Sequence, residues 1–183
     1  MKVLVLASSG GPDYLADLFF CELIHSERYD IDTNHLPPYF YSDFAQASSL
    51  YGNGYTAFTK LDRAKSTRVN LLDTERILKC VKSSIYDAVV YTSIWRFSDH
   101  FDEICCHMPK KKIIVLDGED HTKVASIALR ATYYKRELTK TFEEICLPIS
   151  FTYPSYFTSY KYIENIAKST VIAPCFPYFK GSY

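Results

Sequence analysis

Three carboxylates and an imidazole fall within five residues in the run DGEDH: Asp117, Glu119, Asp120 and His121. A carboxylate beside an imidazole can hold a general base near neutral pH, so Asp120 or His121 is the first candidate for that role, with Asp117 and Glu119 beside them. The same groups can accept hydrogen bonds from ribose or sugar hydroxyls, and an acidic trio can hold Mg²⁺. The structural alternative is that at least two of them cap the next helix, with Asp120 best placed.

Three other clusters carry chemistry. Ser8-Ser9-Gly10-Gly11-Pro12-Asp13 combines small residues with an acid. Ser9, Gly10 and Gly11 would let a backbone approach an anion at a helix amino terminus, with Asp13 beside it. Trp95 and Arg96 offer a stacking face for a ring; a packing tryptophan at a strand end is the plainer reading. Lys135 and Arg136 can offset negative charge, with Glu137 holding the arginine. The alternative for these is a structural ion pair with the acidic cluster. GxGxxG is absent, so a dinucleotide site of the usual kind is not expected. SGGPD resembles the SGGxDS loop that grips pyrophosphate in ATP-pyrophosphatase folds, with Tyr14 where that loop needs a small hydroxyl.

Each cluster follows an apolar run. Lys2 to Ala7, Asp87 to Ser93, Ile113 to Leu116 and Ala131 to Tyr134 read as strands, and 113–116 reads as the central one. Continuous apolarity suits strands buried on both faces of a parallel sheet. Tyr29 to Leu36 and Leu147 to Tyr153 are two further strands. Helical spacing marks Tyr14 to His25, Asp73 to Ser83 with Asp73 or Thr74 as cap, Asp99 to His107, Val124 to Leu129, and Tyr160 to Lys168. Residues 39–62, rich in aromatics and broken by Gly52 and Gly54, read as a loop or short helical excursion. The alternation predicts an α/β fold: a three-layer α/β/α sandwich, Rossmann-like, with a mainly parallel sheet. Right-handed crossovers put every strand's carboxyl end on one edge, where such sheets hold ligands. Gly11, Trp95, Asp120 and Arg136 are then expected along one rim.

The totals limit the field. The 183 residues suit a single domain over 1–183. With 21 basic and 21 acidic side chains the formal charge is zero, which predicts no nucleic-acid partner. Six cysteines show no metal-ligand or disulfide spacing, and no leader-like segment opens the chain, so reduced thiols and a cytoplasmic location are expected. No apolar run approaches the roughly 20 residues of a transmembrane segment.

LYGNGYTAF (50–58), YDAVVYTSIWR (86–96), IIVLDGEDHT (113–122), YYKREL (133–138) and LPISFTYP (147–154) resemble, in order and spacing, the amino-terminal half of bacterial glycosyltransferase-like proteins of GT-B type. The likeness covers about residues 2–160, and DGEDH followed by YKREL is its most specific pair. The resemblance implies a Rossmann-like half that receives a glycan or similar acceptor. A second domain or partner chain would complete the cleft and hold most of the nucleotide sugar. It implies no bound metal and no cofactor. Under it Asp117 to His121 are the acid/base positions. The other expectations are a non-catalytic nucleotide- or partner-binding module and, more weakly, nucleotide chemistry on SGGPD.

Overall fold

The computed structural model describes residues 1–26, 28–45 and 61–150. Seven strands form a single sheet: β1 (Lys2–Leu6), β2 (Asp30–Thr33), β3 (Val69–Leu71), β4 (Ala88–Tyr91), β5 (Ile113–Asp117), β6 (Thr132–Lys135) and β7 (Cys146–Pro148). Their order is β3-β2-β1-β4-β5-β6-β7, and every pairing is parallel. The centre is therefore β4; the 113–116 run expected there is its neighbour. The order reverses between β1 and β4, and that is the topological switch point of a Rossmann-like sheet.

The apolar strands are buried on both sides because side chains alternate between two cores. Leu4 and Leu6 of β1 point into one, with Val89, Tyr91, Ile113, Val115 and Tyr133. Val3 and Val5 point into the other, with Val90 and Leu116. Helix α1 (Tyr14–His25) closes the second core with Leu15, Phe20, Cys21 and Ile24, helped by Tyr39, Phe40 and Tyr41. Helices α2 (Thr74–Lys82) and α3 (Phe101–His107) close the first through Ile77, Val81, Phe101 and Ile104. The α/β/α layering expected from sequence is thus the observed one.

Caps set the helix starts. Asp13 accepts from the Ala16 backbone N–H at 3.0 Å, and Asp73 from that of Arg76 at 2.8 Å. Asp120 caps nothing downstream: the expected helix at 124–129 is a 3₁₀ turn, Ser126–Arg130, without a side-chain cap. Strand β3 escaped the sequence reading because an edge strand of three residues with two exposed has no apolar pattern to show. The expected strand 147–153 shrinks to Cys146–Pro148. Its end from 151 on, the helix at 160–168, Cys175, and most of the aromatic 39–62 segment lie outside the described residues. The described part of that segment holds a 3₁₀ turn, Pro38–Phe40, and a parallel bridge between Tyr41 and Leu61.

Among the described cysteines none forms a disulfide; Cys21 and Cys146 are buried, and Cys106 is exposed. Among the described residues no helix is long and apolar enough to cross a membrane.

Beyond the last paired residues of β1 and β2, the Asn34 side chain continues the ladder. Its amide donates to the Ala7 carbonyl at 2.9 Å and accepts from the Ala7 N–H at 2.8 Å. Ala7 is buried, so neither backbone group has ready water in its place. Asn34→Ala is expected to destabilise the fold by about 1–3 kcal/mol through these two unmet groups, measured by urea denaturation. A midpoint unchanged from wild type would remove this role.

Candidate functional site

The four polar clusters meet at the carboxyl edge of the sheet. They are the turn after β1, the turn after β4, the DGEDH run ending β5, and the residues ending β6. Arg96 ties three of them: its guanidinium donates to Glu119 at 2.9 Å and to the Pro12 carbonyl at 3.3 Å, and lies 3.6 Å from Asp13. Trp95 donates its indole N–H to Asp117 at 2.9 Å and meets the His121 ring edge-on at 4.9 Å. Arg136 pairs with Asp120 and, at 3.1 Å, with Glu137. Gly11, Trp95, Asp120 and Arg136 therefore share one rim.

The acidic cluster does not converge on a common point. Asp117 is buried and points inward, accepting from Lys135 Nζ at 2.9 Å, Tyr133 Oη at 2.5 Å, Trp95 Nε1 at 2.9 Å and the Glu119 backbone N–H at 3.2 Å. Lys135 is fully buried and spends its charge there, reaching also the Glu119 carbonyl at 3.4 Å. The structural ion pair weighed for Lys135 is thus the one formed, between adjacent strands in register. Glu119 turns to Arg96, and Asp120, its side chain 86% exposed, turns to Arg136. Three carboxylates committed to three different cations do not make an Mg²⁺ cage. Among the described residues no group of three or more His, Cys, Asp or Glu is placed to hold a metal ion.

A cleft opens instead at the β1/β4 switch point. It is lined by Ser8, Gly11, Asp13, Asp17, Thr92 and Ser93, with Ala7, Ala16, Phe20 and Pro37 behind them. Its open space is about 280 Å³ out to bulk solvent. That figure takes in open solvent; the enclosed room is about 10 Å³, on the order of one water, so the cleft is a shallow indentation whose mouth has room for a single hydroxyl of a larger ligand. Of the residues singled out in the sequence, Gly11 and Asp13 line it; Gly11 holds a φ of 101°, a left-handed conformation that favours glycine. Ser9 and Gly10 are exposed on the same turn and do not line it. Asp120 and His121 stand on the outer rim.

Three cleft groups are not legible as site residues in the sequence, Asp17, Thr92 and Ser93. Asp17 lay hidden inside a helical pattern, one turn after Asp13, and that spacing was the available signal. Asp13 accepts from Ser93 Oγ at 3.0 Å. Asp17 accepts from the Asp13 backbone N–H and from Tyr39 Oη, both at 3.2 Å. Burial first, and then the Asp13 carboxylate, push the Asp17 carboxyl well above the usual range. Asp17, with its proton affinity raised, thus lies beside Asp13 in the cleft, and a buried carboxyl of this kind is suited to acid/base work.

Two outcomes follow. Lys135→Met leaves the Asp117 carboxylate in the interior without its counter-charge and should cost about 3–5 kcal/mol, read by chemical denaturation; a loss under ~1 kcal/mol would show that the pair does not anchor this edge. For Asp17 the raised proton affinity fixes the sign. The folded state binds the proton more tightly than the unfolded chain, so this contribution is full at low pH and is lost as pH rises through the folded-state value. Asp17→Asn should therefore melt above wild type at about pH 8 and converge with it near about pH 4. Equal melting curves at both would show that Asp17 ionises freely.

Comparison of the chain with family models, with curated proteins and with solved structures finds no match.

Proposed function

We propose that this chain is the acceptor-side half of a glycosyltransferase-like enzyme and that the switch-point cleft grips a hydroxyl-bearing sugar. The observation that carries the reading is the lining itself: two carboxylates and three hydroxyls, Asp13, Asp17, Ser8, Thr92 and Ser93. Carboxylates accept hydrogen bonds from sugar hydroxyls, and serine and threonine both donate and accept. The same lining repels phosphate, which counts against pyrophosphate chemistry on SGGPD. Arg96, the nearest cation described, is already engaged by Glu119, Asp13 and Pro12.

Asp13 is the base in this reading, in place of the Asp120 or His121 first considered. The acceptor O–H gives its proton to Asp13, and the oxygen's electron pair forms the new bond to the anomeric carbon of the donor. The old anomeric C–O bond breaks, and its electrons leave with the nucleoside diphosphate. Asp17, whose proton affinity burial raises, lies beneath Asp13 and accepts from its backbone N–H. The nucleotide sugar would be held mostly by a second domain or partner chain facing this edge.

Saturation-transfer NMR of the chain with maltotriose, cellotriose and chitotriose tests this, with uridine and adenosine diphosphates as comparison ligands. At least one oligosaccharide is expected to bind. Asp13→Asn is expected to weaken it about tenfold, the loss of one charge-assisted hydrogen bond. In the completed enzyme the same substitution should lower kcat by about 10²–10⁴. Binding of the nucleotides with no response to any sugar would overturn the reading in favour of a nucleotide-binding module.

A further inference from the structure

We infer that Trp95 is the platform on which a pyranose ring of the acceptor stacks, so that the ligand is a carbohydrate held by one face as well as by its hydroxyl edge. This deepens the carbohydrate reading of the cleft and rests on it.

Trp95 is 44% exposed, although it is the chain's one tryptophan and sits beside a buried core. Exposure alone does not single it out, since Ile85, Leu129 and Ile145 are exposed as well, but Trp95 is the exposed aromatic beside the cleft turn. Trp95 lies in the turn after β4, between Ser93, which lines the cleft, and Arg96, which bonds to the cleft wall at Pro12. Backbone bonds from the Arg96 and Phe97 N–H groups to the Ser93 carbonyl, at 3.1 and 2.9 Å, hold that turn closed. Ile94, the preceding residue, is buried and anchors the turn in the core.

The exposed ring is also held still. Its N–H is committed to Asp117, which is buried and fixed by Lys135 and Tyr133. His121 abuts it at an interplanar angle of 89°. An aromatic that is half exposed but tethered at its polar end and braced at its side loses little freedom when a ligand lands on it. A second observation points to a ligand as well. Nδ1 of His121 is buried without a hydrogen-bond partner. A ligand hydroxyl or a water at this ring would satisfy it.

The chemistry selects the ligand class. One face of a pyranose presents C–H groups with slight positive charge, which suit the negative face of an indole. Its edge presents hydroxyls, which suit Asp13, Asp17 and Ser93. A nucleobase could also stack, but its phosphates would meet the Asp13 carboxylate in the cleft, while the rim cations Arg96 and Arg136 are already paired with carboxylates.

Because Trp95 is the chain's only tryptophan, intrinsic fluorescence reports this site alone. Titration with maltotriose, cellotriose and chitotriose should give a saturable change in emission with at least one of them, and the diphosphates of uridine and adenosine should give none. Trp95→Ala should weaken binding of that oligosaccharide about tenfold by calorimetry, and Trp95→Phe, which keeps a ring, should hold it within about threefold. Melting curves of both variants separate lost binding from lost folding. If Trp95→Ala folds and binds the oligosaccharide like wild type while Asp13→Asn does not, the platform is refuted and the cleft stands. If Trp95→Ala fails to fold, the Trp95→Phe value and the emission titration decide: sugar binding without any change in Trp95 emission refutes the platform. If no sugar binds the wild type, both readings fall together.

Discussion

The buried pair of Asp117 and Lys135 is the constraint on which the carboxyl edge depends. Both side chains are fully buried, at paired positions on neighbouring strands. Moving two ions out of water is expensive, and their attraction repays this only when the remaining hydrogen-bonding capacity is met. Here it is met: Asp117 takes bonds from four donors. A slip of one residue between β5 and β6 would send one of the charges to the opposite face and leave the other unpaired. The pair therefore locks the register of two strands, and through the indole N–H it also sets the angle of Trp95.

From that anchor the rim is assembled by arginines. Arg96 and Arg136 each hold one carboxylate of the DGEDH run and pull Glu119 and Asp120 apart. The consequence is a division of labour along five residues. Asp117 faces the core, Glu119 braces the β1 and β4 turns, and Asp120 and His121 face outward. Gly118 permits the crossing: a Cβ there would lie 3.0 Å from Leu15 Cβ and Cδ2, so the end of β5 approaches α1 as closely as a glycine allows.

The cleft belongs to the neighbouring crevice. Because β1 and β4 pair with each other while their chain connections run to opposite sides, the turns that follow them diverge and leave a gap. The amino terminus of α1 opens into it, with Asp13 at its cap and Asp17 one turn deeper. Tyr39, from the layer covering α1, reaches Asp17 from behind. Its own hydroxyl is held well away from ionising by burial and by that carboxyl. Acidic groups are gathered at a cleft on this edge, and that coincidence is the physical basis for the proposal of a hydroxyl-bearing ligand.

The sequence by itself determined the strands β1, β2, β4, β5 and β6, the three helices, and the sharing of one edge by the four polar clusters. Hydrophobic periodicity is local, and parallel strands buried on both faces write it without interruption, as KVLVL and IIVLD do. Strand β3 and the short 3₁₀ turns were illegible because their few residues make no period. The roles of the charged residues were decided only by the tertiary structure. Whether Asp117 is a base or an anchor depends on a lysine 18 residues away, and whether Asp13 meets Ser93 depends on a contact across 80 residues. A carboxylate's chemistry is fixed by its donors and its access to water, and both are properties of the packed edge, which no stretch of chain contains.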